Sequence, residues 1–120
     1  MPVHTTVEDD IHSFETHQIK QLIFLDQQSI PIYTIAEHKA ASFVARIDNG
    51  TNTMKLIVDL VDDGTGVGID VRQIPVGGDS NLIPYSITAT ILTGNVVLTI
   101  QNPVPAETNT LKYYVIPSNL

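Results

Sequence analysis

The amino-acid sequence predicts a single all-β domain, an antiparallel β-sandwich (jelly-roll-like or Ig-like) with seven to eight strands. Three observations lead to this fold class. Apolar and polar residues alternate over many short segments, which is the pattern of strands with one buried face. Turn-forming residues separate these segments about every ten residues, as they do in sandwiches and barrels. The 120 residues contain no cysteine and fit one domain that is large enough to fold without disulfide bonds.

Residues 1–18 are predicted to form an N-terminal arm, extended or partly helical, that precedes the sandwich domain at residues 19–120. Thr6 and Asp9 give this arm a weak helix-capping signal. Its start is polar and acidic, unlike the basic start and apolar middle of a signal peptide, and no apolar run reaches the length of a membrane span. We therefore expect the chain as given to carry no secretion address and no membrane segment.

The first two strands are predicted at residues 21–25 and 30–35, joined by a polar connector at residues 26–29. Pro31 has no N–H group to donate to a sheet. Its strand is therefore expected at a sheet edge, unless the proline stands at the start of the strand.

In the first half of the chain, a hairpin is predicted at residues 41–48 and 54–61. Both segments alternate strictly between the two faces of a strand. The two segments are connected through Asn49-Gly50, the strongest short-range hairpin signal. This pairing predicts two neighbouring antiparallel strands.

The second half of the chain repeats this layout. Residues 85–91 and 95–101 alternate on either side of Gly94, and a tight hairpin is expected there because Gly and Asn tolerate positive φ. Single strands at residues 69–72 and 111–116 complete the set. Four aromatic side chains fall on the apolar phases and are predicted to lie in the core: Phe24, Phe43, Tyr85 and Tyr113.

Several predicted outward positions carry apolar side chains where the sheet of a monomer would carry polar ones. They are Val44, Ile57, Val61, Val97 and Ile116, and Tyr114 also falls on an outward phase. Either the strands are buried on both faces at these points, or the side chains form an interface between subunits. Charged residues make up only 16% of the chain, against about 25% in typical soluble domains. This deficit favours assembly.

The formal net charge of −7 argues against polyanionic partners. The six basic residues are scattered along the sequence: Lys20, Lys39, Arg46, Lys55, Arg72 and Lys112. Phosphate groups are bound by clustered Lys and Arg side chains. We therefore expect neither nucleic acid nor an anionic membrane surface as a partner.

The sequence contains no recognisable catalytic motif. It has no Gly-x-Ser-x-Gly segment, no cysteine nucleophile and no phosphate-binding Gly-x-x-x-x-Gly-Lys loop. The glycine-rich stretch at residues 64–68 is interpreted as a flexible loop. We expect no enzymatic activity and no cofactor; a small hydrolase would require a carboxylate or histidine pair that only the fold brings together.

Metal binding has two sets of candidate ligands. Four histidines are present: His4, His12, His17 and His38. The five-residue spacing of His12 and His17 misses the i, i+4 face of a helix, so these are interpreted as surface residues. Calcium favours carboxylate oxygens near a Gly-rich turn, which makes Asp62, Asp63 and Asp70 weak candidates. The segment lacks the ligand spacing of an EF-hand loop, so a solvated acidic loop is expected and no bound metal is predicted.

Parts of the chain resemble small head-, neck- or fibre-associated β-sandwich proteins of tailed bacteriophage virions. The similar segments are Ile-Pro-Ile-Tyr-Thr-Ile at residues 30–35, residues 41–51, and the ending at residues 94–100 and 111–116. The resemblance covers residues 19–117 and concerns the rhythm of strands and turns. It implies a non-enzymatic virion structural protein, capsid-decorating or tail- or fibre-associated, that is made in the host cytoplasm and assembles through its sheet surfaces.

Three kinds of partner are expected: copies of the chain itself, with a trimer favoured, other virion proteins, and a host surface glycan. The alternative function is a carbohydrate- or receptor-binding module. Its site would lie in the loops at residues 62–68 and 77–81, because binding sites on β scaffolds are often carried by loops.

Overall fold

The computed structural model describes residues 18–77, 84–104 and 107–119. These residues form eight strands, which confirms the predicted all-β class at the upper predicted strand number. The strands are β1 (Lys20–Phe24), β2 (Gln27–Thr34), β3 (Ala40–Asp48), β4 (Thr53–Asp62), β5 (Val67–Pro75), β6 (Ser86–Leu92), β7 (Asn95–Gln101) and β8 (Asn109–Ser118). The predicted arm lies outside the described residues except for Gln18. None of the described residues belongs to a helix long and apolar enough to cross a membrane.

The strands form two antiparallel sheets, as predicted for a sandwich. The five-stranded sheet has the order β1-β8-β3-β4-β5, and the three-stranded sheet has the order β2-β7-β6. Only Leu25 and Asp26 separate β1 from β2, yet these two strands lie in different sheets. The chain therefore crosses from one sheet to the other at this point.

The core lies between the two sheets and follows the two-residue period of the strands. Central strands β3, β4 and β7 alternate buried and more exposed residues along their length. Phe43 and Tyr113 stack with ring centroids 5.3 Å apart, and the predicted core residues Phe24 and Tyr85 are also buried. The fully enclosed apolar side chains come from both sheets: Phe43, Ile47, Leu56, Val58, Val96, Leu98, Ile100 and Leu111.

Both predicted hairpins are present. Asp48 pairs with Thr53, so the loop between β3 and β4 has four residues. Within it the Asn49 side chain accepts hydrogen bonds from the N–H groups of Thr51 (3.0 Å) and Asn52 (2.7 Å). The Asn-Gly signal therefore located the hairpin, but in a longer loop than the two-residue turn that Asn-Gly commonly forms.

The hairpin between β6 and β7 has a two-residue turn. Leu92 pairs with Asn95, and the intervening Thr93 and Gly94 have φ angles of 52° and 79°. Positive φ at both central residues is the geometry of a type I′ turn, whose twist matches that of the flanking strands.

Strand β2 differs from its predicted bounds. It begins at Gln27, within the predicted connector, because Gln27 pairs with Gln101 of β7. The edge position expected from Pro31 is confirmed, since β2 is the outer strand of the three-stranded sheet. The register with β7 shifts between Pro31 and Tyr33, which is a β-bulge.

A side chain links the two sheets at the edge of the three-stranded sheet opposite β2, where β6 lies. Gln73 of β5 accepts a hydrogen bond from the Tyr85 N–H (2.9 Å) and donates one to the Tyr85 carbonyl (3.0 Å). Both backbone groups of Tyr85 are thus satisfied by one amide, which holds the start of β6 beside β5.

Candidate interaction surface

The outward side of the five-stranded sheet, called here the outer face, is ordered in rows by the strand register. Residues directly opposite each other in neighbouring antiparallel strands share a face of the sheet. Because Phe43 and Ile47 of β3 point into the core, the even-numbered residues of β3 point outward. Each of them begins a row that runs across the partner residues in β8, β4 and β5.

An apolar row crosses the middle of the outer face. Val44 lies opposite Tyr114 on one side and opposite Ile57 on the other, and all three are partly exposed. Arg72 of β5 ends this row beside Ile57. The three residues of this row are the centre of the surface whose assembly role was predicted from sequence.

The structure brings five of the six predicted interface residues onto this outer face. Besides the apolar row these are Ile116, opposite Ser42, and Val61, which is 54% exposed. Val97 lies instead in the central strand of the three-stranded sheet, on its outward side. The sequence pattern could identify outward apolar positions, but it could not assign them to one sheet or the other.

A basic row lies next to the apolar row. Arg46 is directly opposite Lys112 and directly opposite Lys55, and all three side chains are exposed. Arg72 lies one row away. The sequence-based view that the basic residues are scattered is therefore corrected: four of the six share one face, because strand pairing joins positions that are far apart along the chain.

An acidic row lies on the far side of the apolar row. Asp59 of β4 is opposite Asp70 of β5, and the Ser42 hydroxyl donates a hydrogen bond of 2.7 Å to the Asp59 carboxylate. Asp59 lies four positions beyond Lys55 along β4, a distance of about 13 Å at the usual strand rise. The outer face thus carries basic, apolar and acidic rows in that order.

Two shallow grooves follow from this arrangement. One has a volume of about 600 Å³ and is lined by the basic row together with Val44, Tyr114 and Ile74. The other has a volume of about 620 Å³ and is lined by residues around the acidic row, including Val61 and Ile116. Both grooves combine apolar walls with charges of a single sign.

The three-stranded sheet has the opposite character. Strands β2, β6 and β7 contain no charged residue, and their outward positions carry mainly Ser, Thr, Gln and Asn. The charged residues of the strands therefore all belong to the five-stranded sheet. The sequence carries this signal, since no residue between positions 86 and 101 is charged.

Two of the three calcium candidates are engaged in other contacts. Asp62 is buried and accepts hydrogen bonds from the Tyr33 hydroxyl (2.6 Å) and the Gly64 N–H (2.9 Å). Asp63 accepts from two backbone N–H groups in the same loop, at 2.8 Å each, and these bonds lower the pKa of its carboxyl. Asp70 lies in the acidic row. Among the described residues no group of three His, Cys, Asp or Glu side chains is placed to hold a metal ion.

Tyr33 is a buried residue that the sequence pattern missed. Alternation from Ile30 would place Ile32 inside, but the bulge after Pro31 moves Tyr33 into the core instead. Burial and the Asp62 carboxylate raise the pKa of Tyr33 far above its ordinary range. Burial also raises the pKa of Tyr85, to about 12, with a further contribution from nearby carboxylates.

The remaining candidates fall mostly outside the described residues. His4, His12 and His17 lie there, as do residues 78–81 of the second loop proposed for ligand binding. His38 is partly buried, its ring meets that of Tyr33 edge-on at 6.3 Å, and its Nδ1 has no hydrogen-bond partner among the described residues. In the first loop, residues 62–68, the carboxylates of Asp62 and Asp63 bind the loop's own backbone.

Comparison with known proteins finds a similar fold among solved structures. No family model and no curated protein matches the chain. Among solved structures, the tailspike protein of Acinetobacter phage vB_ApiP_P1 is similar, with a TM-score of 0.51 and 16% sequence identity. The similarity covers 85% of this chain and 22% of the tailspike chain. At this identity the likeness concerns the fold.

Proposed function

We propose that this chain is a non-enzymatic structural module of a phage virion, associated with its tail, which assembles with further copies of itself through the outer face. The fold supports the tail association, because a similar fold occurs within a phage tailspike protein. The chain spans only 22% of that protein's length, so the proposal concerns a module and leaves the tailspike's other parts aside.

The observation that carries the proposal is the apolar row in the middle of the outer face. Tyr114, Val44 and Ile57 are adjacent and stand on the outward side of a sheet whose inner side already forms the core. The same face is bordered by Ile23 (63% exposed) and Ile74 (46% exposed). Contiguous apolar surface of this kind marks interaction sites on soluble proteins, since its burial contributes about 25 cal/mol per Å².

Assembly with copies of the same chain is the simplest use of this surface. Most soluble oligomers are closed and symmetric, and a trimer is the number that the sequence resemblance favoured. Other virion proteins and a host surface glycan are further partners that this proposal includes, as contacts made by the assembled module.

Solution mass measured by light scattering after size exclusion tests the assembly. We expect a mass that is a multiple of the 13.1 kDa chain. The Val44→Asp variant should dissociate into monomers, because it places a charge at the centre of the apolar row.

Val97→Asp is the matched control. Val97 is also an outward, partly exposed valine in a central strand, but it lies on the other sheet. It should leave the mass unchanged. A monomeric wild-type protein would refute the proposed assembly, and an assembly that is dissociated only by Val97→Asp would refute its placement on the outer face.

Virion membership needs a separate measurement. Mass spectrometry of tails purified from particles that carry this gene should detect the chain in a fixed ratio to other tail proteins. Its absence from purified particles would contradict the virion assignment while leaving the solution assembly intact.

A further inference from the structure

We infer that the contact between copies is a two-fold one, in which two outer faces pack together with their strands reversed and the basic row of each copy covers the acidic row of the other. This inference rests on the proposed assembly and specifies its geometry. The partner is a second copy of the chain, in one orientation.

The order of the rows is the first argument. The basic row of Lys112, Arg46 and Lys55 and the acidic row with Asp59 and Asp70 stand at equal distances on either side of the apolar row. A two-fold axis along the apolar row exchanges the two charged rows and maps the apolar row onto itself. Each strand then lies over its own copy, so Lys55 lies over Asp59 of the second copy and Val44 packs against Val44. Arg72, at the end of the apolar row, meets Arg72 of the second copy.

The opposite orientation is disfavoured by the same charges. A two-fold axis parallel to the strands would place the basic row over the basic row and the acidic row over the acidic row. Like charges brought together at an interface disfavour association, and this orientation would oppose two whole rows, whereas the reversed one opposes only the Arg72 pair. Charge complementarity therefore selects the reversed orientation.

The placement of like charges within each row is the second argument. Directly opposite side chains in an antiparallel pair interact, and like charges at such positions are destabilising. The outer face contains three such pairs: Lys112 with Arg46, Arg46 with Lys55, and Asp59 with Asp70. An isolated subunit bears this repulsion in both rows. In the reversed pairing, Lys55 of the basic row and Asp59 of the acidic row each face an opposite charge of the second copy. Lys112 faces Ile116 and Asp70 faces Ile74, so neither gains a further like-charge contact.

The size of the face is sufficient for a stable contact. Five strands of up to ten residues cover roughly 24 Å by 30 Å at standard spacings, or about 700 Å². Stable interfaces bury about 800 Å² per partner. The range for stable interfaces is roughly 600–1,000 Å² per partner, so the contact would use the whole outer face, including both grooves.

A two-fold contact is isologous, so it joins copies in pairs. The expected solution species is a dimer. Three copies, as favoured by the sequence resemblance, would be joined through another surface, and the outer faces would then pair two trimers.

The test uses charge reversal in the full chain. Lys55→Glu and Asp59→Lys should each weaken the assembly, with a dissociation constant raised about tenfold or more, because each creates like-charge contacts at two symmetric places. The double variant Lys55→Glu/Asp59→Lys should recover the wild-type affinity. An equimolar mixture of the two single variants should also recover it, since both contacts of the mixed dimer pair opposite charges. Sedimentation at low and high salt gives the dissociation constants.

Lys20→Glu is the control, because it makes the same charge change on the edge strand β1, at a residue paired with the inward-facing Tyr113. It should leave the dissociation constant unchanged. Recovery in the double variant and in the mixture would support the reversed pairing. An assembly that persists in both single variants, or is not restored by mixing, would overturn the inference while leaving the proposed assembly standing.

A monomeric wild-type protein would overturn both proposals together. One further outcome would indicate that the outer face binds an acidic ligand and not a second copy of the chain. If heparin, used as a soluble polyanion, binds the wild type and Asp59→Lys equally but not Lys55→Glu, and no dimer forms, the basic row serves an acidic ligand instead.

Discussion

The hydrogen bond between Tyr33 and Asp62 shows how one backbone irregularity determines a buried polar contact. The bulge in β2 turns Tyr33 into the core, where its hydroxyl donates to the Asp62 carboxylate at 2.6 Å. The other carboxylate oxygen accepts from the Gly64 N–H. Asp62 therefore ties β2 of one sheet to the loop that follows β4 of the other. This contact explains why an acidic residue is buried at the end of an apolar strand.

Removal of the Tyr33 hydroxyl should destabilise the fold. In Tyr33→Phe the Oδ1 atom of the buried Asp62 carboxylate loses its donor, while Oδ2 keeps the Gly64 N–H. An unsatisfied buried acceptor costs about 1–3 kcal/mol. The free energy of unfolding, measured by urea denaturation, should fall by that amount. Tyr113→Phe is the control, because Tyr113 is buried to a similar degree and its hydroxyl has no hydrogen bond to another described residue. Equal losses in both variants would contradict a specific role for the Tyr33 hydroxyl.

The turns between strands are the elements whose conformation is most directly encoded. Gly94 has a φ of 79°, and glycine reaches this region without steric cost. Thr93 precedes it at 52°, although β-branched residues rarely adopt positive φ. The β6–β7 hairpin therefore forms with one favourable and one strained turn residue.

This strain predicts a stabilising substitution. Thr93→Asn should raise the free energy of unfolding by about 0.5–1 kcal/mol, because Asn tolerates the left-handed region and Asn-Gly is the preferred type I′ pair. Gly94→Ala should lower it by more than about 1 kcal/mol, because alanine is strained at positive φ. Gly66→Ala serves as the control, since Gly66 does not have positive φ and a Cβ there meets open space. A destabilised Thr93→Asn variant, measured by thermal or urea unfolding, would contradict the type I′ assignment.

The sequence predicted where the strands lie better than it predicted which strands pair with each other. Alternation and turn residues located both hairpins and the edge strand with Pro31, because these signals are local. The bulge at Tyr33 breaks the two-residue period, so the sequence could not place that side chain. The pairings of Arg46 with Lys112 and with Lys55 depend on a register between distant segments. The candidate surface was thus predicted in its apolar members and missed in its charged ones.

At the scale of the whole molecule, the two sheets divide the chemistry between them. The three-stranded sheet carries no charge on its strands, whereas the five-stranded sheet displays rows of both signs around an apolar centre. Charged rows set orientation and apolar rows supply most of the association free energy. A surface with this division is suited to a specific contact with a partner of matching order.

Assembly through the outer face predicts that thermal stability depends on protein concentration. Association that involves only the folded state stabilises it by mass action, so about a hundredfold increase in concentration should raise the Tm by several degrees. Differential scanning fluorimetry over this range measures the effect. Val44→Asp should remove the concentration dependence because the variant has no apolar centre on which to assemble, and Val97→Asp should retain it. The contradicting result is a wild-type Tm that stays constant above the concentration at which light scattering detects assembly. Subunits would then associate without stabilising the folded state. That outcome is incompatible with burial of the apolar row between them.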